Sequence, residues 1–294
     1  MSMQKAHTYT RNLEGEAENP SEIISQNIGT LIVTSAIHPS EDVPYLRLTD
    51  PQQRLFQTYC SLICWIRQRH ITNIVLCDNT GIDHAFSGLA ALAEQHNKTL
   101  EILVFRGDHE ETCLRGKGYG EGEIMKHVIE HSRLLKEDTA FYKITGRIFV
   151  ERFEAIHNAH RDKSVVFRPR MATWQEILLR SAYKYPLLSD CWKRGWKGPV
   201  STVFYKCTPQ YYANNLIDRF RMIDDRRGYY LEHAFVDPLK ENGFDIFSVR
   251  LGLVGRSGTT DLLHCNVDYS DEVKNLAALL LKNETKGTGT RPGQ

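Results

Sequence analysis

Residues 116–147, GKGYGEGEIMKHVIEHSRLLKEDTAFYKITGR, set how the rest of the chain is read. Glycines at 116, 118, 120 and 122 read as a loop of small residues feeding an amphipathic helix. A short apolar strand, Ala140 to Ile144, follows and ends in Thr145-Gly146-Arg147. Such a loop presents free backbone N–H groups and the positive end of a helix dipole to an anion. The strand end adds a hydroxyl and a guanidinium in the same neighbourhood. Phosphate sites are commonly built this way. The same residues also suit a surface loop, a crossover helix and a buried strand with no ligand, because loose glycine-rich loops are common.

On the N-terminal side, Gly29 to Ile37 (GTLIVTSAI) is a β-branched run that reads as a buried first strand. Asp50 can cap a helix carrying Pro51 at its first position, with Leu55, Tyr59, Leu62, Ile63 and Ile66 on one face. A strand at 73–77, a helix near 84–96 and a strand at 100–107 come next. On the C-terminal side, a helix near 151–159, strands at 165–170 and 201–207 and a final amphipathic helix, Asp271 to Lys282, complete the pattern. Strands alternating with helices predict an α/β fold: a mostly parallel central sheet flanked by helices, Rossmann-like, with a mixed α+β C-terminal half. The expected organisation is a flexible lead (1–27), a nucleotide-binding half (28–160), a second half of the same domain (161–282) and a disordered tail (283–294). In such sheets ligands gather at the carboxyl ends of strands. Ser35 to His38, Asp78 to Gly81, Arg106-Gly107 and Thr145 to Arg147 all fall there.

The 294 residues suffice for one large α/β domain. A formal net charge of +1 gives no basic stripe for nucleic acid. No apolar run approaches the ~20 residues of a membrane span, and the polar N-terminus has no signal-peptide core. The seven cysteines are scattered and lack metal-ligand spacing, so they read as reduced thiols of a cytoplasmic protein.

Several positions could carry chemistry, and each has a plainer reading. Asp78 can accept from a ribose hydroxyl or cap a turn. Arg147 can bind phosphate bidentately or pair with Glu121 or Glu123. Glu232, beside His233 amid aromatics, can act as a general base or pair with Arg226 or Arg227. Arg256, Ser257 and Thr259 form a second anion loop or an ordinary turn. Trp192 and Trp196, in an aromatic and basic loop, suit sugar stacking, a membrane-surface acceptor or plain core packing. The P-loop, dinucleotide fingerprint, nucleophile elbow and zincin patterns are missing from the sequence.

The order TLIVTSAI, NIVLCDNTG, LEILVFRG, KGYGEGEIMKHVIEHS, AFYKITGRIFV resembles the nucleotide-sugar half of GT-A type glycosyltransferases of bacterial surface-polysaccharide (capsule or lipopolysaccharide) synthesis. The resemblance implies that Thr34, Ser35 and Asp78 hold the base and ribose, and that Gly118, Gly120 and Glu121 lie beneath the diphosphate. In that family the next strand ends in an Asp-x-Asp pair holding a divalent cation; this chain has Thr145-Gly146-Arg147. Arg147, Lys143 or helix amides would then neutralise the leaving phosphate without a metal or other cofactor. This is similar to metal-independent transferases, including some that use CMP-activated acidic sugars. Glu232, with His233 as runner-up, matches the base that deprotonates the acceptor hydroxyl in inverting members. The resemblance implies a nucleotide-sugar donor, a saccharide or lipid-linked acceptor, no nucleic-acid partner, and a cytoplasmic location extending to the inner membrane face. Two other readings stay open: a phosphoribosyltransferase-like enzyme using a ribose-phosphate donor, and a non-catalytic nucleotide-binding partner subunit.

Overall fold

Strand β1, Gly29–Ser35, is buried along its whole length because both faces of the sheet around it are covered. The computed structural model describes residues 29–84, 86–136, 139–170 and 198–287. The lead at 1–27, the tryptophan loop with Trp192 and Trp196, and the tail beyond 287 lie outside the described residues. After β1 come α1 (Pro51–Ile66), β2 (Ile71–Asp78), α2 (Ser87–Gln95), β3 (Thr99–Val104), α3 (His109–Arg115), α4 (Lys117–His131) and β4 (Phe141–Thr145). They are followed by β5 (Ile148–Val150), α5 (Phe153–His160), β6 (Val166–Pro169), β7 (Val200–Cys207) and α6 (Pro209–Asn215). The chain then forms α7 (Leu231–Ala234), α8 (Val236–Asn242), β8 (Asp245–Ile246), β9 (Leu253–Gly255) and α9 (Asp271–Gly287).

Seven strands form one sheet in the order β3-β2-β1-β4-β7-β6-β8, and β5 pairs with β9 in a separate ribbon. Within β3-β2-β1-β4 every neighbour is parallel. Strand β7 joins antiparallel on both sides, and β8 is parallel to β6. This is the α/β, mostly parallel, helix-flanked sheet expected from the alternation of elements. The connections from β1 run to β2 on one side and, later in the chain, to β4 on the other. The strand order therefore reverses between β1 and β4, where a crevice opens at the carboxyl ends.

The period-2 alternation of strands sorts the core into two layers. Leu31, Val33, Tyr142 and Ile144 face α1, with Tyr59, Leu62, Ile63 and Trp65. Ile32, Val75 and Phe141 face the layer that contains Ile124, Met125 and Val128 of α4. Each fully buried side chain of this size contributes roughly 1.5–3 kcal/mol. Helix α1 starts as its sequence requires: the Asp50 carboxylate accepts from Gln52 N at 2.9 Å, with Pro51 at the first position.

Two expectations are corrected. Gly118, Gly120 and Gly122 are not in a loop but inside α4, and only Gly116 precedes that helix. Their smallness serves close packing: a Cβ on Gly122 would stand 2.0 Å from Phe220 Cβ. The final helix runs to Gly287, past the Lys282 end and the 283 tail start expected from sequence.

Candidate functional site

The carboxyl ends of β1 and β4 open into a cavity of about 560 Å³. Its floor is formed by Thr34 and Ser35 from β1 and by Thr145, Arg147 and Ile148 from the β4 end. The loops after β2 and β3 supply Asn79 to Ile82, Arg106 and Gly107. Helix α4 supplies Lys117, Gly118, Gly120 and Glu121, and the C-terminal half supplies Asp225, Glu232, Arg256, Ser257, Thr259 and His264.

Arg147 is the most constrained of these groups. It is 6% exposed, and burial lowers its pKa from the usual range to about 10. Its Nε is buried without a hydrogen-bond partner. Neither nearby carboxylate pairs with it, because Glu121 is taken by Lys143 and Asp261 by Arg256. The Gly258 backbone lies directly over its guanidinium, so closely that a Cβ there would stand 2.5 Å from Nη2. Taking an unpaired cation out of water is costly, and an anion entering the cavity could offset that cost by pairing with this guanidinium. Its field, after burial itself, pushes the His264 and Arg54 pKa values down.

Lys143 stands elsewhere than the sequence reading placed it. Alternation along β4 puts residues 141 and 143 on the α4 side. Lys143 is therefore fully buried beneath that helix, donating to Glu121 and, at 2.7 Å, to Thr202 O. It does not line the cavity but neutralises Glu121 from below. Asp78 also turns away from the cavity. Its Oδ2 accepts from Ile37 N at 2.8 Å and its Oδ1 from Thr80 N at 2.9 Å and from the Thr80 hydroxyl. Both carboxylate oxygens are thus engaged within the protein, and Asp78 is not among the residues that line the cavity. His233 caps a helix, with Nδ1 accepting from Tyr230 N at 3.1 Å.

The other expected residues converge. Thr34, Ser35, Gly118, Gly120, Glu121, Arg147, Glu232, Arg256, Ser257 and Thr259 all line one cavity. Glu232 pairs with Arg170 at 3.8 Å and not with Arg226 or Arg227. The 256–260 turn is tied to the α4 start, where the Lys117 ammonium donates to the Thr259 hydroxyl. Among the described residues, no group of three or more His, Cys, Asp or Glu side chains gathers for a metal, and no helix is long and apolar enough to cross a membrane.

Arg54 and Asp225 are among the lining residues that escaped sequence reasoning. Arg54, in the first turn of α1, holds the β1 end in place through Ala36 O and Leu48 O. Asp225 is 1% exposed and sits against the start of α4. Desolvation raises its pKa to about 6, opposed by the amides of Gly118 and Lys117 and by the Lys117 charge, and aided by Glu232. Gly116, at φ +110°, makes the approach possible: a Cβ there would stand 2.1 Å from Asp225 Oδ2.

No family model matches the chain, and no curated protein matches it. Solved structures are similar in overall arrangement at very low identity. The glycosyltransferase GlyE of Streptococcus pneumoniae TIGR4 is 7% identical with a TM-score of 0.48 over 91% of this chain; the chain spans 66% of that protein. The galactosyltransferase LgtC, in complex with donor and acceptor sugar analogs, is 8% identical with a TM-score of 0.46, covering 90% and 97% of the two chains. A 4-diphosphocytidyl-2C-methyl-D-erythritol synthase from Anaerococcus prevotii DSM 20548 is 9% identical with a TM-score of 0.39, covering 89% and 99%. What the cavity of this chain can do follows from its own residues.

Proposed function

We propose that the chain is a glycosyltransferase, moving a sugar from a nucleotide-activated donor to a hydroxyl of a saccharide or lipid-linked acceptor. The observation that carries the reading is Arg147: a buried, unpaired guanidinium on the floor of a cavity at the strand-order reversal. A phosphate of the donor would meet it there, with the Ser257 and Thr259 hydroxyls alongside. Negative charge developing on the leaving phosphate is then stabilised by a cation that needs no reorganisation. Thr34 and Ser35 floor the part of the cavity next to β2, where the nucleoside would lie.

Glu232, on the same cavity wall, would take the proton of the attacking acceptor hydroxyl. A carboxylate lining the same cavity as the anion seat suits direct displacement at the anomeric carbon. A divalent cation does not fit the end of β4: the donors there are a hydroxyl and a guanidinium, and the adjacent carboxylate, Glu121, is already neutralised by Lys143. We therefore read the transfer as metal-independent, with capsule or lipopolysaccharide synthesis as its setting.

The testing experiment is a thermal-shift panel of nucleotides (CMP, UMP, GMP, their diphosphates, and phosphoribosyl pyrophosphate), repeated with EDTA. Stabilisation by at least one nucleotide, unchanged by EDTA, is expected. Stabilisation by phosphoribosyl pyrophosphate alone, or binding that vanishes with EDTA and returns with Mn²⁺, would overturn it.

A further inference from the structure

The cavity contains two places built for a negative charge, and the protein's own carboxylate stands in one of them. The first is Arg147. The second is the start of α4, a helix of 15 residues whose opening amides and dipole favour an anion. Asp225 faces the amides of Lys117 and Gly118 there, yet neither of its oxygens closes a hydrogen bond. It is a cavity-lining carboxylate, 1% exposed and without a partner.

We propose that Asp225 is a resident anion occupying the α4 seat, so that the cavity selects a nucleotide with one phosphate, seated on Arg147, over one with two. This rests on reading the cavity as a nucleotide-sugar site and names the donor class within it. A second phosphate reaching the α4 start would meet the carboxylate at close range, in a setting where burial weakens screening. Diphosphates would enter only as Asp225 takes up a proton.

The charged groups around Asp225 fix the direction of that linkage. From α4, Lys117 and the two amides favour the carboxylate; from α7, Glu232 disfavours it, and desolvation outweighs all of them. On its own turn, Arg227 is held by Asp224, and Arg226 points to Cys113 O. The carboxyl titrates near neutrality, at about 6, so diphosphate affinity rises as the pH falls through that value and is lowest above it.

The experiment compares calorimetric affinities of CMP and CDP, UMP and UDP, and GMP and GDP, pairs that share a base and differ by one phosphate. It uses the full chain and its Asp225→Asn variant at about pH 7.5 and about pH 5.5, on either side of the linkage. For the wild type the monophosphate is expected to bind more tightly at the higher pH, on the order of tenfold, with the gap closing at the lower pH. In Asp225→Asn the gap is expected to be closed at both, which separates the effect from titration of the nucleotides themselves. Equal wild-type affinities at both pH values would overturn the inference while leaving the nucleotide reading intact. So would a variant that only melts earlier with an unchanged ratio, the mark of a helix-capping role. Failure of every nucleotide to bind overturns both. Should Asp225→Asn fail to fold, Asp225→Ser takes its place in the same comparison, with the same outcomes expected and excluded.

Discussion

The Tyr269 hydroxyl donates to the backbone carbonyl of Arg147 at 2.8 Å, across 122 residues of sequence. Tyr269 is 3% exposed, so this bond is made in a dry setting, just where the chain leaves β4. It pins the main chain from which the buried guanidinium projects. Tyr269→Phe leaves a buried carbonyl unpaired and is expected to lower stability by about 1–3 kcal/mol. Nucleotide affinity should fall with it, because the guanidinium loses its fixed origin. Chemical denaturation together with calorimetric titration checks both; a loss of stability with unchanged affinity would separate the bond from the site.

Arg147→Met tests the guanidinium itself. Removing an unpaired buried cation should leave stability unchanged or raise it, since a shape-matched apolar group avoids the desolvation penalty. Nucleotide affinity should drop by about tenfold to a hundredfold, the range of a lost charge-assisted hydrogen bond. A variant that melts earlier and binds equally well would show that the arginine is structural.

Lys143 and Glu121 form the opposite case, a pair whose partners depend on one another. Glu121→Gln strands a fully buried ammonium and should destabilise the fold by about 3–5 kcal/mol. The double variant Glu121→Gln, Lys143→Met is expected to recover most of that loss. Denaturant midpoints for the four members of the cycle give the coupling directly. Additivity within experimental error would contradict the pairing.

His157 sets a pH dependence away from the cavity. Burial first, then the neighbouring His70, Lys206 and Arg161, lowers its pKa from 6.5 to about 4. Its neutral Nδ1 accepts from the Tyr142 hydroxyl at 3.1 Å. Between those two values the unfolded chain binds a proton that the folded chain refuses, so stability rises with pH across that window. The contribution is fully present above about pH 6.5 and is lost as the pH falls towards about 4. Asp225, whose folded pKa is raised, works in the other direction over an overlapping range. His157→Gln should therefore flatten the acid side of a denaturation-midpoint profile; an unaltered slope would exclude the histidine as its source.

The strands, the Asp50-Pro51 helix start and the emergence of Arg147 from the end of β4 were legible in the sequence, because alternation, capping chemistry and strand ends are local signals. What closes on them from afar was not. The glycines of α4 spell a loop as readily as a helix face until Phe220, a hundred positions away, is seen to press on Gly122. Asp78 ends a strand, as a ligand-binding acid would, but only the folded chain brings Ile37 N to its carboxylate. Asp225 sits in the run Asp224-Asp225-Arg226-Arg227, which reads as a solvated charge cluster. Nothing local distinguishes the one member that turns inward against Gly116.

The walls of the cavity are drawn from positions 34 to 264, and its floor depends on β1 pairing with β4 more than a hundred residues downstream. Such distant pairings form late and slowly, because the intervening chain must first give up its freedom. An unfinished or truncated polypeptide would own the sheet's first strands and still lack any enclosure. Occupancy of the crevice would thus report that maturation of the whole chain is complete, and small molecules that fill it should act as folding chaperones for weakened variants.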